Sequence, residues 1–126
     1  MTSQLMLCET CGGADASQPE APRRGALFAD QVERLARQQE EAGAAPLAIA
    51  RTRCLMACQR HCTALLRGPG KIGYVLGDLA ADEDAAEALL DYARKHQQSD
   101  TGQVPFRTWP AGIKGKFIAR IPVFEQ

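Results

Sequence analysis

The sequence carries no net charge, because 15 Lys and Arg balance 15 Asp and Glu over 126 residues. No global field therefore draws it to nucleic acid or to an anionic lipid surface. It has no apolar run near the roughly 20 residues that a membrane-spanning helix needs. Its start, MTSQLMLCETCGG, lacks the basic region and the long apolar segment of a secretory signal. These absences predict a cytoplasmic protein with no membrane contact. Histidine is scarce as well: His61 and His96 are the only two. A Rieske centre needs two histidines interleaved with cysteines, so that site type is excluded. No Ser/His/Asp set is apparent. The Gly-Pro-Gly at 68–70 precedes no helix and lacks the G-K-[ST] of a phosphate loop. The chain does not read as an enzyme.

What is present is a globular composition, with 45% hydrophobic and 24% charged residues in a length suited to one domain. Cysteine is the unusual ingredient. Cys8 and Cys11 form a C-x2-C near the start, and Cys54, Cys58 and Cys62 follow at four-residue spacing. Five cysteines cannot all pair. In a reducing compartment such residues bind metal or do chemistry more often than they staple a fold.

Residues 4–7 read as a short strand running into Cys8. Residues 11–22 are a Gly/Pro/Ser-rich loop. From Arg23 to about Ala42 the pattern is helical, with Phe28, Val32 and Leu35 on one face and Gly43 as the stop. Residues 47–53 read as a second strand ending at Cys54. Residues 63–79 read as a hairpin whose Pro69-Gly70 suits a type II turn. Residues 81–97 form the clearest helix, acidic at its start, basic at its end, and striped by Ala86, Leu89, Leu90 and Ala93. Residues 1–100 make one domain. Residues 101–126 are a Pro/Gly-rich basic tail packed on it, in which Phe106, Trp109 and Phe117 either cover the sheet or meet a partner.

The predicted fold is α/β, with the order β-α-β-β-β-α. A right-handed strand–helix–strand unit gives a parallel pair. A hairpin and a second helix then complete a four-stranded mixed sheet with flanking helices, which is the thioredoxin-like layout, followed by an extended C-terminal tail. The first two strands end at the same edge of the sheet. Cys8 and Cys11 therefore meet Cys54 and Cys58 across more than forty residues of chain. Four thiolates at one edge suit zinc or an iron–sulfur cluster. Cys8 and Cys11 are also open to reading as a redox dithiol, although no helix N-terminus directly follows them to lower a thiol pKa.

The stretch CLMACQRHCTALLRGPGKIGYVLGDL resembles the second half of the thioredoxin-like 2Fe–2S ferredoxins, with a C-x3-C loop, a Pro-Gly hairpin and a Tyr-containing strand. Nearly the whole chain resembles an uncharacterised bacterial family of predicted metal-binding proteins. Its members share the N-terminal C-x2-C, CL-x2-AC, GPGK, Y-V-x-GDL and a Pro-rich basic tail, and some are encoded near cobalamin-biosynthesis genes. The resemblance implies a 2Fe–2S cluster held by Cys8, Cys11, Cys54 and Cys58, with single-electron transfer as the function. The alternative it implies is a zinc- or cobalt-binding protein, either a structural site or a metal carrier. The partner would be a redox protein or a metal-handling protein, and the pattern allows a homodimer.

Cys62 is the surplus cysteine, either a small buried hydrophobe or an additional metal ligand. His61 reads as a solvent-facing loop residue, with a zinc ligand in a three-cysteine, one-histidine site or a tuner of the cluster as alternatives, and His96 as a charge at a helix C-terminus. Arg51, Arg53, Arg60 and Arg67 make the cysteine region basic, where they offset thiolate charge, dock an acidic redox partner or form a solvated surface.

Overall fold

In the computed structural model the described residues are 3–8, 24–52, 62–79 and 82–123. They form β1 (Gln4–Cys8), α1 (Arg24–Glu41), β2 (Ala48–Thr52), β3 (Ala64–Arg67), β4 (Gly73–Leu76), α2 (Glu83–Gln98) and β5 (Phe117–Ile121). Two short 3-10 turns, Phe106–Thr108 and Ala111–Ile113, lie between α2 and β5. The sheet order is β2-β1-β3-β4-β5. β1 and β2 are parallel and all other neighbours are antiparallel.

The sheet thus has five strands where the sequence predicted four. The fifth comes from the segment read as a tail, which pairs with β4 from Gly73↔Ile121 to Leu76↔Phe117. The signal was an apolar, β-branched FIARI between Gly115 and Pro122. Its flanking glycine and proline made it read as irregular chain. None of the helices among the described residues is long and apolar enough to cross a membrane.

Local chemistry sets the ends of these elements. α1 stops where the spacing placed its stop. Gly43 takes φ +105°, the Ala44 N–H reaches the Gln39 carbonyl and the Gly43 N–H that of Glu40. This is the Schellman pattern, which satisfies carbonyls the helix leaves open. α2 starts at Asp82, whose carboxylate accepts the Ala85 N–H at 2.8 Å. The Pro69-Gly70 turn closes with Lys71 N–H to Gly68 carbonyl at 3.1 Å, and Gly70 adopts φ +68°, as a type II turn requires.

One face of the sheet carries Leu5, Leu7, Ala64, Leu66, Tyr74 and Leu76, which are cross-strand neighbours and all buried. The helices pack against each other and onto this face. α1 supplies Phe28, Ala29, Val32 and Ala36, and α2 supplies Ala86, Leu89, Leu90 and Ala93. Each large side chain buried here contributes about 1.5–3 kcal/mol. Leu35 joins as a partly buried member.

The tail aromatics complete this core. Tyr92 is fully buried, with Phe117 at 5.2 Å, Trp109 at 5.7 Å and Tyr74 at 6.0 Å between ring centroids. Trp109 donates its indole N–H to the Val104 carbonyl at 2.8 Å. Among the described residues the Tyr92 hydroxyl has no well-formed hydrogen bond, and burial, with Tyr74 beside it, pushes its ionisation above the ordinary range. A buried donor without a partner destabilises a fold by about 1–3 kcal/mol. Tyr92→Phe should therefore raise stability by about 1 kcal/mol, read as a higher urea midpoint at unchanged slope.

Candidate metal centre

The parallel register pairs Cys8 with Thr52, so β1 and β2 end side by side. β3 enters at the same edge: the Cys8 N–H donates to the Thr63 carbonyl at 3.1 Å, and Cys62 directly precedes Thr63. Cys8 and Cys62 are each 1% exposed, and Cys62 belongs to the core cluster. Cys62 also has φ +55°, a left-handed conformation that costs a residue with a side chain roughly 1–2 kcal/mol. Nothing in its spacing announced this. Cys11, Cys54, Cys58 and His61 lie outside the described residues, as do Arg53 and Arg60. No group of three or more His, Cys, Asp or Glu among the described residues is placed to hold a metal.

Both helices begin at this edge. Arg51, near the end of β2, pairs with Asp30 and Glu33 around the middle of α1 at 2.6 Å each, while Leu47, just before β2, bonds Glu40 near the helix end. α1 therefore runs antiparallel to β2. α2 ends against Ser3 and Lys71, at the opposite end of the sheet, so it also starts at the cysteine edge. Two positive helix ends lie toward the edge where β1 stops, and that of α2 is already met by Asp82, Glu83 and Asp84.

The arginines divide. The Arg51 guanidinium is committed to its two carboxylates, which raise its pKa above the ordinary range. Arg67 pairs in register with Gln4 and donates to its side chain at 2.8 Å. That places it at the far end of the sheet, away from Cys8. Neither fits the expected role of offsetting thiolate charge.

Two of the stretches that carry the resemblance have structural jobs. In Y-V-x-GDL, the Gly77 N–H bonds the Lys116 carbonyl at 2.8 Å and the Lys116 ammonium bonds the Asp78 carbonyl at 2.9 Å, with Asp78 at φ +56°. The motif ties β4 to the start of β5. In GPGK, the Lys71 ammonium, on a side chain 6% exposed, donates to the carbonyls of His96 and Gln97 at 2.9 and 2.6 Å. It caps the C-terminus of α2.

His96 corrects the sequence reading. It is no exposed terminal charge but fully buried. Its Nε2–H donates to the Ile72 carbonyl at 2.8 Å, which leaves Nδ1 to accept from the Ser3 hydroxyl at 2.7 Å. The signal was available, since position 96 continues the apolar stripe of Leu89 and Ala93. Burial, the largest influence, lowers the His96 pKa below 6.5; the Ile72 bond raises it and the Lys71 charge lowers it again. Below the ordinary value the unfolded chain then binds more protons than the folded one. The His96 contribution to stability is full above pH 6.5 and falls as pH drops through that value toward the folded pKa. Urea midpoints followed from about pH 8 to about pH 5 should decline, and His96→Gln should flatten the decline.

The model of a family described as "Protein of unknown function (DUF1636)" matches residues 5–123. No curated protein and no solved structure matches the chain.

Proposed function

The chain belongs to the family described as protein of unknown function (DUF1636), and within it we propose a thioredoxin-like protein that holds a 2Fe–2S cluster and passes single electrons. The observation that carries this reading is the convergence of three strand ends at Cys8: the end of β1, the end of β2 at Thr52 and the entry to β3 at Thr63. Neighbouring strands lie about 4.8 Å apart. Cys54 follows Thr52 by two residues, at most about 7 Å of extended chain. Cys11 follows Cys8 by three, about 10 Å, and Cys58 precedes Cys62 by four, about 14 Å. These spans are short enough for the proposed ligands to reach one another. The parallel β1–β2 pair, the crossover helix and the antiparallel β3–β4 hairpin beside β1 support the thioredoxin-like part.

The donor chemistry fits. Thiolates are soft ligands suited to iron–sulfur clusters. Cys8, Cys11, Cys54 and Cys58 are the proposed ligands, and the cluster would supply a one-electron acceptor. The protein's part is to bind it, to exclude water through burial like that of Cys8, and to set its potential through charge and burial. Cys62, packed in the core, is the spare.

Anaerobic purification followed by a visible spectrum with iron, sulfide and zinc analysis tests this. Iron and acid-labile sulfide in equal amounts with a charge-transfer spectrum are expected. A colourless protein with stoichiometric zinc, or a protein with stoichiometric cobalt and no acid-labile sulfide, would sink the ferredoxin reading in favour of a metal-binding module. Cys11→Ser should lose the cluster and Cys62→Ser should keep it. The reverse result overturns the ligand assignment.

A further inference from the structure

We infer that the outer edge of β5 takes an extended acidic peptide of another protein as an added strand. This rests on the tail and not on the cysteine edge, so it stands independently of the reading above. β5 ends the sheet order, and among the described residues β4 is its only strand partner. A strand so placed presents a row of backbone N–H and C=O groups, a template for another chain. Its last three residues, Ala119, Arg120 and Ile121, are exposed, Ile121 by 42%.

Beside this edge two adjoining grooves share Tyr74, Trp109 and Arg120. One continues along Phe117–Arg120 and the other beside Gln103–Pro105. The floor is aromatic: the Trp109 and Phe117 rings are 4.7 Å apart, and those of Phe117 and Tyr74 5.4 Å. Phe106, 63% exposed, lies 4.9 Å from Trp109, with the Lys114 ammonium 4.9 Å from its ring centroid. An added strand turns alternate side chains to one face. The aromatic floor receives those side chains while the β5 backbone holds the main chain, as in strand-addition recognition.

Charge selects the occupant. Residues 101–123 hold Arg107, Lys114, Lys116 and Arg120 and no Asp or Glu, although the whole chain is neutral. None of these four is in an ion pair among the described residues, where the pairs are made by Arg51 and Lys95. A second copy of β5 would set cations against cations, which destabilises cross-strand neighbours. An acidic strand meets the patch with opposite sign, which favours encounter and fixes register.

The test uses the full chain and a short fluorescein-labelled peptide in which Val and Phe alternate with Asp and Glu. Its counterpart carries Lys at the acidic positions. Anisotropy should saturate with the acidic peptide and not with the basic one, and the emission of Trp109, the sole tryptophan, should change in parallel. Two acidic peptides N-methylated at alternate residues, in opposite phase, separate strand addition from plain charge attraction. One should lose binding and the other keep it, because only alternate amides face β5. Arg120→Glu should weaken binding about tenfold or more with an unchanged unfolding midpoint. Equal binding of acidic and basic peptides, equal binding of the two N-methylated peptides, unchanged affinity in Arg120→Glu, or no saturation at about millimolar protein would each overturn the proposal. So would a dimer in sedimentation velocity that Arg120→Glu dissociates, which would seat a second copy on β5 instead.

Discussion

Gly102→Ala is expected to lower the free energy of unfolding by roughly 3 kcal/mol, read as a lower urea midpoint at unchanged slope. Two costs combine. Gly102 has φ +85°, a conformation that an L side chain occupies at roughly 1–2 kcal/mol. A Cβ there would also sit 2.6 Å from the Ile72 carbonyl oxygen, 2.9 Å from the Ile72 nitrogen and 3.0 Å from His96 Nε2. Two of the three are backbone atoms that cannot swing aside, so the chain itself must shift, and such overpacking costs typically about 1–3 kcal/mol. The contact is close for a reason. The Ile72 N–H bonds the Thr101 carbonyl at 2.9 Å, and the Ile72 carbonyl accepts from His96. Displacing Ile72 therefore strains the join of hairpin, helix and tail at once. A loss of this size is a large share of the about 5–15 kcal/mol that holds a domain folded.

Lys71→Met is expected to cost about 2 kcal/mol and to lower the melting temperature by several degrees. The ammonium makes two charge-assisted hydrogen bonds to carbonyls at the end of α2, each worth about 1.5–3 kcal/mol, and it meets the negative end of the helix dipole. Against this stands the cost of keeping the charge out of water, which is also what lowers the Lys71 pKa. Methionine matches the stem but removes the ammonium from the Gln97 carbonyl and leaves the His96 carbonyl only the Ser99 N–H at 3.2 Å. Hydrogen exchange supplies the second readout. Amides in the last turn of α2 should exchange faster in Lys71→Met, while those of α1 should keep their rates. Equal acceleration in both helices would show that Lys71 acts on the whole fold rather than as a cap.

The parts of this fold that were legible in the sequence were those decided locally. α1 and α2 declare themselves by a helical period, and their ends by Gly43 and Asp82. The β3–β4 hairpin is announced by Pro69-Gly70. Cys8 at the end of β1 follows from a strand running into a C-x2-C. What escaped depends on partners distant in the chain. The Ser3–His96 bond joins residues separated by 93 positions, and a histidine after Arg94 and Lys95 reads as one more terminal cation. Lys71, following a turn, reads as solvated until α2 is seen to end above it. β5 looks irregular by itself and becomes a strand only because β4 offers it an edge. The left-handed backbone at Cys62 is set by how β3 enters beside β1, which no local pattern encodes.

The sheet also has an order in time. Among the described strands β1 is made before β2 and β3 yet sits between them, so each of those two finds it already waiting. β5 is different. Residues 77–116 separate it from β4, a few seconds of synthesis at about 5–20 residues per second. Until those seconds pass, β4 is itself the edge of the sheet, and Tyr74 and Tyr92 lack Phe117 and Trp109. The cysteine end of the molecule can take shape on the nascent chain while its aromatic flank stays open. The arrival of FIARI supplies the strand that covers β4 and brings Phe117 onto Tyr74 and Tyr92.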